Sequence, residues 1–135
     1  MMPINYQNYS PLWKSEIRPR ILQRANNKCE FCGVENHSVI LRGKYNWMDV
    51  YQTYDGKIFN AENSQYITSD YVGEVATNEN TMAIKVVLTV AHLDHDTTHN
   101  TDDNLKALCQ RCHNRYDMKQ RVHNRNNKPN QTELF

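Results

Sequence analysis

Four cysteines stand in two pairs, Cys29-Glu30-Phe31-Cys32 and Cys109-Gln110-Arg111-Cys112, with 76 residues between the pairs. Two intervening residues let both thiolates of a pair reach one tetrahedral metal ion while the backbone turns around it. There is no fifth cysteine, so unrelated buried thiols would have to produce two metal-ligand spacings by accident. The pattern predicts one Zn2+ on Cys29, Cys32, Cys109 and Cys112. Its role would be structural, because four protein ligands leave no open position for water.

The second pair ends a run rich in His, Asp and Asn. From Val90 to Asp117 it reads Val-Ala-His-Leu-Asp-His-Asp-Thr-Thr-His-Asn-Thr-Asp-Asp-Asn-Leu-Lys-Ala-Leu-Cys-Gln-Arg-Cys-His-Asn-Arg-Tyr-Asp. With the two cysteine knuckles, this run resembles the HNH endonuclease family, whose fold is the ββα-metal finger. In that family a His closes a first strand, Asn-Leu opens a second, and a further His lies early in the following helix. Many members add paired Cys-x-x-Cys knuckles with the final His directly after the last Cys. His92, Asn104-Leu105 and Cys112-His113 match in that order. The resemblance covers about residues 12–33 and 85–122 and leaves out the insertion 34–84.

It implies a metal-dependent hydrolase of phosphodiester bonds in DNA. Such a reaction deprotonates a water and neutralises charge on the phosphate and leaving oxygen. A neutral imidazole can take the proton near pH 7, and the resemblance gives that role to His92. It makes Asn104 the residue that fixes the loop holding the catalytic His. A second, catalytic cation (Mg2+ or another divalent ion) would be bound from the helix by His113 and Asp117. These two are four apart, so a helix points them to the same side. Lys106, Arg111, Arg115, Lys119 and Arg121 are candidates for phosphate contacts, with an ordinary solvated face as the alternative.

One position departs from the family. The residue before the first His often supplies a metal ligand as Asp or His; here it is Ala91. His113 and Asp117 could hold the metal alone, with water and phosphate completing its shell. Asp94 or His95 could reach back to fill the gap. Or Asp94-His95 could be the ligand–base pair in another register, nine positions before Asn104 rather than twelve. The end of the apolar strand favours His92. A rival reading keeps the fold as a zinc-stapled module that binds nucleic acid or protein without turnover. His37, His99 and His123 read as surface residues.

The elements that must position these groups are legible in outline. Ser15 to Asn27 reads as a helix capped by Ser15, with Pro19 early enough to be tolerated. Ile17, Ile21, Leu22 and Ala25 form its apolar stripe and Trp13 packs beside it. Gly33 supplies the turn after the first knuckle. In the insertion, Val39–Leu41, Asp49–Tyr54 and Lys57–Phe59 read as strands, with Asp55-Gly56 a hairpin turn. Five tyrosines and Trp47 lie there, and packing against a sheet is favoured over base stacking. Lys85–Leu93 reads as one β-prone strand, Asp94–Asp103 as a polar loop, and Asn104–Leu108 as a second short strand or extended turn. Gln110 to about Val122 reads as a helix, with Leu108, Tyr116 and Met118 as packing residues. Residues 124–135 read as a polar tail.

The fold class expected is therefore α+β, a small zinc-stapled ββα domain spanning 1–135 with an N-terminal helix and a β-rich insertion. With 135 residues, 39% hydrophobic, and a mean hydropathy of −0.85, the core must be thin and in need of a staple. No apolar run suits a membrane span or a signal peptide, so a cytoplasmic location is expected, where cysteines favour metal over disulfides. The net charge of +1 is uneven: residues 1–32 carry five Lys/Arg against two acids, 104–135 seven against two, and 33–103 four against eleven. Basic ends of this kind suit a phosphate backbone.

Overall fold

The computed structural model describes residues 9–76 and 82–126. It is a mixed helix and sheet structure, and its order follows from where each segment can bury its apolar side. A wide π-type turn, Trp13–Ile17, runs into α1 (Arg18–Arg24). Ser15 does not cap it; the helical turn begins two residues earlier, and Leu12 occupies the cap position. Pro19, at the start of α1, has no N–H to donate, and the bonds ahead of it stretch to five residues: Ile17 N–H donates to Leu12 O at 3.1 Å. The helix stops at Arg24, short of the expected Asn27, because Asn26 and Asn27 both adopt left-handed φ (54° and 58°). Those residues swing the chain into the first cysteine pair. Trp13, Ile17 and Ile21 are buried as the stripe requires, and Leu22 and Ala25 pack against them.

The insertion forms a five-stranded antiparallel sheet in the order β4-β3-β2-β1-β5. Its strands are β1 (Val39–Tyr45), β2 (Met48–Thr53), β3 (Lys57–Asn60), β4 (Tyr66–Ser69) and β5 (Ile84–Lys85). Directly paired residues share a face. Ile40, Arg42, Tyr51 and Phe59 face the cysteine core, whereas Leu41, Val50 and Ile58 face away and are covered by Val75. Asp55-Gly56 makes the expected hairpin, with Gly56 at φ 92°. β4 escapes the sequence pattern because Tyr66-Ile67-Thr68-Ser69 is a half-exposed edge with no buried residue to mark it.

The insertion's aromatics divide. Tyr51 and Phe59 stack at 5.2 Å on the inner face. Trp47 is 96% and Tyr71 82% exposed, against the packing expected of them. Trp47 sits with Asn46 in a two-residue turn at positive φ, which turns its side chain out from the hairpin tip.

The expected strand from Lys85 to Leu93 is two strands. Lys85 closes the five-stranded sheet on Val39, then Val86 N–H donates to Ser38 O and Leu88 N–H to the Asn36 side chain. β6 (Thr89–His92) begins after that bend and pairs with β7 (Leu105–Leu108). The continuous β-prone run thus serves two sheets, and its local pattern carries no sign of the bend. α2 (Gln110–Asn126) follows, four residues longer than expected. Leu108 is fully buried and Tyr116 partly so, but Met118 is 58% exposed and is not a packing residue. The expected tail lies mostly beyond the described residues. Among those residues no helix is long and apolar enough to cross a membrane.

One core (Trp13, Ile17, Ile21, Val34, Ile40, Leu88, Leu105, Leu108 and all four cysteines among its members) joins both sheets and α1. The outer cluster of Leu41, Val50, Ile58 and Val75 is closed by the segment 70–76. That segment is anchored by the fully buried Gln52, whose amide donates to Asp70 O and Tyr71 O at 3.1 Å and accepts from Gly73 N–H at 3.0 Å. Gly43 lets it lie flat on β1: a Cβ there would sit 1.5 Å from Val75 O, which accepts from Lys44 N–H at 2.9 Å. Gly43→Ala should force these backbones apart and destabilise the chain by about 2–3 kcal/mol. Chemical denaturation of the variant, with midpoint and slope compared to wild type, checks this.

Candidate functional site

The four cysteine sulfurs converge, with all ligand atoms within 4.8 Å of one another and all four residues buried. A tetrahedron with Zn–S bonds of about 2.3 Å has edges of about 3.8 Å; Cys32 Sγ and Cys109 Sγ are 3.7 Å apart. The donor set and its spacing fit zinc. Both knuckles have the same internal support: Cys32 N–H points to Cys29 Sγ at 3.5 Å and Cys112 N–H to Cys109 Sγ at 3.4 Å. Thiols this close share their ionisation. The neighbouring Cys109 holds Cys29 far below the ordinary thiol range, Cys112 lowers Cys109 to about 6, and Cys109 in turn drives Cys32 and Cys112 far up. A divalent cation removes the repulsion that otherwise keeps some of them protonated.

The knuckles are tied to their surroundings by the residues between the cysteines. Glu30 N–H donates to Ala107 O at 2.8 Å and its carboxylate accepts from Ala107 N–H at 3.0 Å, so the first knuckle extends the β6–β7 pair. Arg24 reaches the same carboxylate and Leu105 O. Gln110 clasps Lys85 O at 3.0 Å, fixing the bend before β6. Gly33 takes a φ of 87° and faces Ser64, whose hydroxyl links Tyr51 to Cys32 O at 2.6 Å on each side.

β6, β7 and α2 follow one another as a ββα unit, and its loop is organised by Asn104. The Asn104 side chain is 7% exposed in its residue, donates to Asp94 Oδ1 at 3.0 Å and His99 O at 2.8 Å, and accepts from Asp94 N–H at 3.2 Å. It holds the loop from Asp94 to His99. His99, read from sequence as a bystander, joins this network through Asp94.

His92 occupies a different place from the one its expected role needs. It is 6% exposed, its ring stacks on Trp13 at 4.8 Å and meets Tyr9 edge-on, and its Nε2 faces Asn100 Oδ1 at 2.8 Å. The ring presents little surface to water there. Strand alternation gives the reason: Thr89 bonds His113 Nδ1 at 2.9 Å, so positions 89 and 91 face α2 while 90 and 92 face α1. Ala91 therefore lies on the His113 side.

The next His takes that place. His92 O accepts from His95 N–H at 3.0 Å, closing a turn in which His95 adopts φ 62°. Its ring comes back to α2, stacks on Tyr116, and sets Nε2 2.9 Å from Asp117 Oδ1. The other oxygen of Asp117 lies 3.4 Å from His113 Nε2. His95, Asp117 and His113 form an open chain whose side chains are 45%, 34% and 23% exposed. Among the described residues, only the four cysteines lie close enough together to enclose an ion; His113 and Asp117 offer a partial donor set beside them.

The basic candidates separate. Arg111 and Arg115 both pair with Glu62 of the insertion, at 2.8 and 2.9 Å, and Arg111 also reaches Ala61 O. They dock the insertion onto α2. Lys106 lies 3.9 Å from Glu30. Arg121 is exposed, and Lys119 lines a cleft of about 160 Å³ with Phe31, Glu62, Cys112, Arg115 and Tyr116. The basic N-terminal helix is likewise spent internally, with Arg20 and Arg24 on Asp102.

Two outcomes follow. Stripping zinc with a strong chelator should unfold the chain, because structural zinc carries roughly 10–16 kcal/mol of binding energy in small domains. Metal analysis should find one zinc per chain, and Cys112→Ser should behave like chelation; a zinc-free chain with an unchanged melting temperature would contradict the assignment. The second outcome concerns pH. Asp94 raises the His99 pKa, and His99 first among its partners holds Asp94 well below the ordinary carboxylate range. The Asp94 contribution is complete above about 3.9 and fades as pH falls through its lowered value; the His99 contribution is complete below about 6.5 and fades as pH rises through its raised value. The Asn104 side-chain amide resonances should hold still between about pH 4 and 6.5, then move at higher pH, and His99→Ala should abolish that movement.

The chain matches no protein-family model, no curated protein and no solved structure. The likeness to HNH endonucleases rests on the residues and spacings themselves.

Proposed function

We propose that the chain is a zinc-stapled, metal-dependent endonuclease of the HNH type that hydrolyses phosphodiester bonds in DNA, with His95 rather than His92 as the base. The observation that carries this reading is the His95–Asp117–His113 chain at the mouth of the ββα unit. If the Nε2–H of His95 donates to Asp117, that bond selects the tautomer whose Nδ1 is free to accept a proton. The ring is exposed, so a water can reach it. Asp117 thus orients the base, as a carboxylate does for imidazole in hydrolytic sites. Asn104 positions His95 indirectly by fixing the loop that follows the turn.

His113 and Asp117 are the residues that would hold the divalent cation. Thr89 on His113 Nδ1 turns Nε2 outward, as partners of metal-bound histidines do. When bound, such a cation offsets charge developing on the phosphate and the leaving oxygen. Lys119 and Arg121, on α2 just beyond Asp117 and in no ion pair among the described residues, are the candidates for phosphate contact. Arg111 and Arg115 contribute only where Glu62 of the insertion yields them, and Lys106 only where Glu30 of the first knuckle does.

A binding module without turnover is the second reading, favoured by Ala91, which offers a catalytic cation no ligand. Plasmid cleavage with Mg2+ or Mn2+ separates the two. His95→Ala and His113→Ala should each lower the rate at least 100-fold while zinc content stays at one per chain. His92→Phe, which keeps the stack on Trp13, should retain cleavage within a few fold, and His92→Ala should cost about 2–3 kcal/mol of stability. Cleavage lost in His92→Phe and kept in His95→Ala would reverse the assignment; no cleavage by wild type with any divalent ion, alongside salt-sensitive DNA binding, would favour the binding module.

A further inference from the structure

One guanidinium lacks the partners that its burial demands. Arg20, Arg24, Arg111 and Arg115 each meet a carboxylate. Arg42 does not. It lies on the inner face of β1, across from Tyr51, with Cζ 5.9 Å from that ring's centroid. Its Nη1 is buried with no hydrogen-bond partner among the described residues, and its Nη2 lies 3.9 Å from Cys109 Sγ. A buried cation is tolerated when an opposite charge is close. Here the adjacent anion is the sulfur cluster.

We propose that Arg42 is the counter-charge of the metal centre, delivered by the insertion. The inference rests on the zinc reading of the four cysteines. Four thiolates around Zn2+ leave a net charge of −2 in a buried place. The knuckle N–H groups that point at Cys29 and Cys109 offset part of it. Arg42 adds, among the described residues, the one side-chain cation in hydrogen-bond range of a sulfur. A guanidinium donating to a thiolate draws off electron density and makes it a poorer nucleophile toward electrophiles and oxidants. The Tyr51 face holds the guanidinium by a cation–π contact, and Tyr51 is itself tied through Ser64 to Cys32 O. The insertion thereby acts on the metal it does not ligate, as a positioning and charge-balancing cover.

The test is release of zinc from the loaded protein to a chromophoric chelator, with metal content and folding measured first. Arg42→Met should release zinc about tenfold faster, the scale of outer-shell effects on metal affinity, and its cysteines should alkylate faster in parallel. The control is Gln52→Leu, which loosens the insertion on its far face without touching sulfur; it should release zinc at the wild-type rate. Arg42→Lys keeps the charge but loses the planar donors, and covers the case in which Arg42→Met does not fold. It should release zinc about threefold faster, and in cobalt-loaded protein it should shift the sulfur-to-cobalt charge-transfer band. A folded Arg42→Met or Arg42→Lys with wild-type release and an unmoved cobalt band overturns the proposal. So does Gln52→Leu releasing zinc as fast as Arg42→Met. Wild-type protein that takes up no zinc would instead overturn the metal assignment on which the proposal stands.

Discussion

The meeting of four sulfurs from the two ends of the chain is the constraint on which the other contacts depend. Cys29 and Cys32 follow α1 directly, and Cys109 and Cys112 straddle the junction of β7 and α2. Their convergence places Glu30 on β7, Gln110 on the bend before β6, and Ser64 against the first knuckle. Each of these is a polar bond at the edge of an apolar core. None would register correctly if the sulfurs were a few ångströms apart. A metal held by them would therefore set geometry as well as add stability, which suits a chain whose hydrophobic share is modest.

The histidine chain shows how that geometry reaches the surface. β7 is held on one side by β6 and on the other by the first knuckle, so the two faces of the β6–β7 pair are assigned without ambiguity. One face delivers Thr89 to His113 and leaves only a methyl at Ala91. The other buries His92 on Trp13. A left-handed residue at the end of the following turn then returns an imidazole to the first face. Residues in that backbone region cost energy and persist where their surroundings insist on them. Here Asn104, Asp94 and the hydroxyl of Tyr116 on Leu93 O do so.

Much of this was legible in the residues. The cysteine pairs announce themselves by spacing, and their convergence is the finding most directly foreshadowed. The helix stripe of Ile17 and Ile21 and the Asp55-Gly56 turn also follow from local chemistry, whereas a loop-fixing role for Asn104 comes only from the resemblance. What failed was long-range. The run from Lys85 to Leu93 looks like one strand because its β propensity is continuous, and the bend depends on Asn36 and Gln110, distant in sequence. His92 looked like the exposed base because the strand ends there, yet which face it takes is decided by Trp13, some 79 residues earlier. Arg111 and Arg115 looked like phosphate ligands until Glu62 was seen opposite them. Alternatives to His92 could be posed from the order of His92, Asp94 and His95, but not decided, since strand pairing sets the parity of the two faces.

The separation of the cysteine pairs has a consequence for biosynthesis. A ribosome adding about 5–20 residues per second needs roughly 4–15 s to make the 76 residues between Cys32 and Cys109. Through that interval the nascent chain carries a half-built donor set, two thiols on a turn, beside an apolar stripe of Trp13, Ile17 and Ile21 with no β6–β7 pair to cover it. The insertion is made during the wait, and its hairpins close with contacts near in sequence, the fast kind. Arg42 and Tyr51 thus belong to the part of the chain made before the second knuckle emerges. The sheet can shelter the waiting pair, and the last helix completes a centre whose cover was made first.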